Sequence, residues 1–289
     1  MLAYHSLIIC HGFVKQRFSL GFGSMGKIMP YKPESDGWMK GLVGFGLTIL
    51  IVAIAGAVAR VGTREAINYA QSSPSSIEAD LENTFADNPS IASMFYVLKE
   101  KYPSDYEALI SGFSEKVRGG ASGAEINVYA HSFMRSFAKS SKKDFSAAPQ
   151  QNLIEVLEKH VPLLDALSKD SSSICAEFVT TGLGPGRQLS TPTLEAMAEV
   201  VSLQIKAAAA GRDSPAPRQP PSDSDWEQVG SAMLEYGTLE EELNSLANQT
   251  YSTLPVDRQC EVGKALYRAM ASLPPEGAAR MAAYVLIQD

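Results

Sequence analysis

The sequence predicts an all-α protein, with a single N-terminal transmembrane helix ahead of a globular portion of roughly eight to ten short helices. Three observations predict it. Between Lys40 and Arg60 lies an uncharged run, GLVGFGLTILIVAIAGAVA. Downstream, apolar residues recur at spacings of three and four, punctuated by caps and prolines. No β-alternation is long enough to argue a sheet, and no fixed-period repeat argues a solenoid.

The run comes first. At ~1.5 Å rise per residue it spans roughly 28 Å as a helix, close to the hydrocarbon thickness of a bilayer. Lys40 and Arg60 can snorkel to the headgroups, and Trp38 sits where an interfacial aromatic belongs. Two readings are open. A signal peptide would use Leu47–Ile54 as its apolar centre and Ala57-Val58-Ala59 as its small-x-small cleavage motif. The favoured reading is an uncleaved anchor, because the run exceeds the usual h-region and the helical pattern continues toward Gln71. Lys15, Arg17, Lys27, Lys32 and Lys40 precede the run, while only Arg60 and Arg64 follow it closely. That asymmetry puts the N-terminus in the cytoplasm and exports the rest, as cleavage would too. Counted from Gly21 the margin narrows to three against two, which keeps a cytoplasmic helical domain as an alternative. Small-xxx-small pairs (Gly37 and Gly41, Ala53 and Ala57, Ala55 and Ala59) suit any membrane span and need no dimer to explain them.

The first 24 residues show no period or capping pattern, and residues 1–36 read as a disordered tail or an over-extended start. Met25 and Met29 are alternative starts to Met1; from Met25 a short basic lead precedes the run, as in export signals.

The helical elements follow in order. Asn88-Pro89 caps a helix bearing Ile91, Phe95 and Leu98 on one face. Pro103 opens a second helix with Tyr106, Leu109, Ile110 and Phe113, ended by Gly119-Gly120. Ser122 and Glu125 form a capping box ahead of Ile126, Tyr129, Phe133 and Phe137. Leu153, Val156, Leu157, Val161 and Leu164 make the next stripe, bent at Pro162. Thr191-Pro192 opens a helix through Leu194, Met197, Val201 and Ile205 that stops at Gly211. GRDSPAPRQPPSDSD, residues 211–225, holds four prolines and reads as a linker or exposed loop. Val229, Met233 and Tyr236 continue helically, then Leu239, Leu243 and Leu246 after Gly237. Val262, Leu266, Met270 and Leu273 precede the break at Pro274-Pro275, and the last two helices read as a tight antiparallel hairpin. The organisation expected is a tail over 1–36, an anchor over 37–60, a helical domain over 61–210, the proline-rich stretch 211–225 and a helical subdomain over 226–289.

Charge narrows the partners. Residues 61–289 carry 19 Lys/Arg against 30 Asp/Glu, a net of −11. Such a surface repels phosphate backbones and anionic headgroups alike, which argues against a nucleic-acid partner. Of the three cysteines, only Cys175 and Cys260 follow the run. Two separate buried thiols are the default. In an exported domain a Cys175–Cys260 disulfide is the alternative, closing a loop of about 85 residues and stabilising by roughly 4–5 kcal/mol through chain entropy.

Candidate chemistry is thin. Ser136 and Lys139 have the Ser-x-x-Lys spacing of penicillin-interacting serine enzymes, but Ser140 and Lys143 match it equally, and no Lys-Thr-Gly or Ser-Asp-Asn accompanies either. Residues 182–186, GLGPG, follow a helix rather than a strand, so a helix end and turn explains them better than a phosphate loop. His131 and His160 lack a second ligand one turn away, although a Cys175–His dyad could form in space. Glu240, Glu241 and Glu242 suit the first turn of a helix better than glycoside chemistry. No catalytic residue, cofactor or metal is assigned. The expectation is a non-enzymatic envelope protein that contacts another envelope protein or a second copy of itself. The alternatives are an exported hydrolase acting on cell-wall or polysaccharide material and a membrane-bound regulator.

Overall fold

The computed structural model describes residues 78–79 and 89–286, apart from 185, 186 and 249. Ten α-helices and one 3₁₀ turn carry these residues, with no strand among them. The expected all-α class therefore holds for the described residues. None of the helices is long and apolar enough to cross a membrane. The apolar run, its flanks Trp38, Lys40 and Arg60, the motif Ala57-Val58-Ala59 and the candidate start methionines lie outside the described residues.

The helices are α1 (Pro89–Lys101), α2 (Pro103–Arg118), α3 (Gly123–Ser146), α4 (Gln150–Asp170), α5 (Ser172–Thr181), α6 (Thr191–Asp213), α7 (Asp223–Glu235), α8 (Glu240–Ala247), α9 (Val256–Ser272) and α10 (Pro275–Val285). Local chemistry sets many of the boundaries. Pro103 and Pro275 stand at first helical positions, where the missing N–H has no intrahelical partner to lose. Ser122 and Glu125 close the expected capping box on α3, and Ser222 with Asp225 does the same on α7. Beyond α2, Gly120 adopts φ 73°, a conformation that costs glycine little. Ser190, rather than Thr191, occupies the N-cap position of α6.

Helix α6 sits at the centre, packed against α4, α1 and α3. Its Met197, Val200, Val201, Ile205, Ala207, Ala208 and Ala209 are buried. The alanines let neighbours approach from several sides, since interaxial distance follows side-chain size. Helix α4 buries Leu153, Val156, Leu157, Leu163, Leu164 and Leu167 completely, each burial worth about 1.5–3 kcal/mol. It runs on through Pro162, where Glu158 and the proline are both exposed, so water can reach the carbonyl left unbonded.

Two sequence expectations meet corrections, and the exposed-loop reading of the proline-rich stretch gains detail. Helix α6 does not stop at Gly211 but continues to Asp213. A Cβ at Gly211 would lie 1.9 Å from the Asp144 carbonyl oxygen and 2.7 Å from the Ala148 nitrogen. The glycine thus serves close packing on the end of α3 rather than termination. The proline-rich stretch is pinned as a strap: the Ala216 N–H donates to Ala147 O at 2.7 Å, and Arg218 donates to the carbonyls of Ser146 and Ala148 at 2.8 and 2.7 Å. Residues on both sides of the strap share one hydrophobic core, with α9 on α5 and α4 and α10 on α4. Finally, α10 packs chiefly on α4 and only secondarily on α9, so the last two helices do not form an isolated hairpin.

Candidate functional site

The core between α4, α5 and α9 holds the residues with chemical potential. Cys175 on α5 and Cys260 on α9 are joined by a disulfide, with Cα atoms 5.3 Å apart. Both residues are buried. One turn along each helix a Cβ on Gly263 would come within 2.6 Å of Val179 Cγ1, so this glycine sets how closely the two helices cross. The bond leaves Cys175 without a free thiolate, which removes it as the nucleophile of a Cys–His dyad.

His160 on α4 lies fully buried beside this crossing. Its ring stacks on Tyr267 of α9, with centroids 4.9 Å apart and planes 19° from parallel. Nδ1 stands 2.7 Å from Val156 O, a contact that requires the proton on Nδ1, and Nε2 finds no hydrogen-bond partner. Burial pushes its pKa down to about 4. It is a neutral core histidine. His131 is also pushed down by burial.

The other candidates separate in space. Ser136 and Lys139 are both exposed on α3, and Ser140 Oγ donates to Phe137 O rather than meeting an amine. Gly182 ends α5 at φ 73°, and the Gly184 N–H donates to Glu177 Oε1 at 3.0 Å, so this segment is a helix end held by a carboxylate. Glu240, Glu241 and Glu242 form the first turn of α8. Among the described residues, no group of three His, Cys, Asp or Glu side chains could hold a metal ion.

Two ion pairs with buried carboxylates tie α7, α8, α9 and α10 together. Arg280 of α10 grips Asp225 with bonds of 2.9 Å to each oxygen. That guanidinium, with help from Ser222, holds the Asp225 carboxyl down to about 2. A Cβ on Gly277 would sit 2.8 Å from Asp225 Oδ1, so glycine makes room for the carboxylate. Arg258 of α9 grips Glu242 at 2.6 and 2.7 Å, and the Leu239 N–H donates to the same carboxylate. The Arg258 guanidinium holds the Glu242 carboxyl below its ordinary value.

Arg258 also donates to Gly237 O at 3.4 Å, latching the start of α9 onto the turn between α7 and α8. Around that latch stand Leu234, Tyr236, Leu239 and Val256, exposed by 41%, 47%, 52% and 47%.

 The other large exposed apolar side chains among the described residues, Tyr96 and Val128, lie apart on α1 and α3. Sequence periodicity assigned Tyr236 and Leu239 to core-facing stripes. Both are exposed instead, on either side of the turn at Gly237, where φ is 87°. In the sequence Glu242 reads only as one of three first-turn carboxylates, and its pairing with Arg258, sixteen positions on, emerges from the fold.

No known protein family matches the chain, and neither a curated protein nor a solved structure matches it significantly.

Proposed function

We propose that the chain is a membrane-anchored, exported, acidic helical protein that works through protein–protein contact or assembly in a cell envelope. The observation that carries this reading is the Cys175–Cys260 disulfide. Such bonds form and persist in oxidising compartments and are rare where thiols are kept reduced. The uncharged run between Lys40 and Arg60 supplies the anchor. The apolar corner around Gly237 supports contact with another protein, since clustered exposed apolar side chains mark interaction surfaces.

Protease treatment of intact spheroplasts expressing the full chain, with alkylation of the unreduced protein, tests the proposal. The expected result is a helical portion digested from outside and no alkylation at Cys175 or Cys260 until the protein is reduced under denaturing conditions. A helical portion protected until the membrane is broken, with both thiols alkylated after denaturation alone, would overturn it.

A further inference from the structure

We infer that the α7–α8–α9 corner is a docking site for a basic polypeptide segment with an apolar anchor. The inference rests on the proposed role in protein–protein contact and names the surface and the partner's chemistry. Four of the six large apolar side chains exposed among the described residues gather here: Leu234, Tyr236, Leu239 and Val256. Their backbones are tied together. The Gly237 N–H donates to Leu234 O, Arg258 donates to Gly237 O, and Glu242 binds both the Leu239 N–H and Arg258. One guanidinium therefore holds the turn and the start of α9 in a fixed arrangement. A preorganised surface loses little freedom on binding, and an aromatic anchor such as Tyr236 is a common source of binding energy.

Charge selects the occupant. Residues 223–262 contain nine acidic side chains and a single basic one, Arg258. Arg258 is committed to Glu242, while Glu235, Glu240, Glu241 and Asp257 are exposed around the apolar residues. A second copy would set acid against acid, and an anionic lipid surface would be repelled in the same way. A segment that places lysine or arginine beside an apolar side chain satisfies both components.

The test uses the full purified chain in detergent and two synthetic amphipathic peptides, one of leucine and lysine and the other of leucine and glutamate. Fluorescence anisotropy is expected to show saturable binding of the lysine peptide alone. The Y236A/L239A double variant is expected to weaken it by about tenfold or more, and E240Q/E241Q to reduce its salt dependence. Tyr96→Ala, an exposed aromatic elsewhere, is expected to leave it unchanged. Far-UV circular dichroism and thermal melts matching the parent protein establish that the variants fold. Equal binding to the parent and Y236A/L239A overturns the inference by assigning the attraction to general acidity. Absence of binding, self-association lost in that variant, or variant-sensitive binding to phosphatidylglycerol vesicles overturns it too. None of these outcomes bears on export or anchoring, which the spheroplast experiment reads separately.

Discussion

His160 illustrates how a single residue ties burial to solution behaviour. Its ordinary pKa of 6.5 falls to about 4 in the fold because burial disfavours the charged ring. As pH falls through this interval, the unfolded chain takes up a proton that the folded chain refuses, so stability declines with acidity. Lys264, Arg268 and Asp165 form an ion-pair group along the same α4–α9 contact, whereas Tyr267 is the ring stacked on the imidazole. Asp225 acts in a lower window: its contribution is complete above its ordinary value of 3.8 and is lost as pH falls toward about 2. The two effects can therefore be separated. Urea titrations of the parent protein should show about 2 kcal/mol less unfolding free energy near pH 5 than near pH 7. His160→Phe, which keeps a ring against Tyr267, should remove most of that slope, while His131 leaves a smaller remainder. Position 160 falls on the stripe of Leu153, Val156, Leu157 and Leu164, so periodicity puts it on the buried face, but it cannot supply the stack on Tyr267, more than a hundred positions away.

At the level of elements, much of the fold was legible because its signals are local. Prolines, capping boxes and apolar stripes marked the starts and faces of α2, α3, α4 and α9. One error arose where a long-range contact overrode a local signal, and another at a local turn. Gly211 resembled a helix stop, but the approach of α3 decides its identity. Tyr236 and Leu239 resembled core residues, yet both are exposed on either side of the Gly237 turn. Two of the helix-interior glycines, Gly211 and Gly230, should respond oppositely to alanine. At Gly211 the new methyl meets the backbone of Asp144 and Ala148, which can yield only if α3 and α6 part, so a loss of about 3 kcal/mol is expected. At Gly230 the added carbon meets nothing within 4 Å beyond its own helical backbone, and the lower entropy of the unfolded chain should raise stability by about 0.5–1 kcal/mol. Thermal and urea denaturation of the two single variants checks both signs.

Across the whole molecule, the disulfide and the strap hold regions far apart in sequence. The bond encloses 85 positions of sequence separation, and its removal in a C175S/C260S variant should lower the unfolding free energy by about 4 kcal/mol, read from urea midpoints against the oxidised parent. Counting cysteines allowed this pair, but the crossing of α5 and α9 at Gly263 explains why the two side chains meet. The packing of α10 on α4 has a separate consequence for the order of assembly. A chain delivered N-terminus first presents α4 well before Pro275 emerges, so the leucine face of α4 lacks one of its covers during that interval. The late arrival of α9 and α10 leaves that apolar face open in the nascent chain, the interval in which aggregation competes with folding.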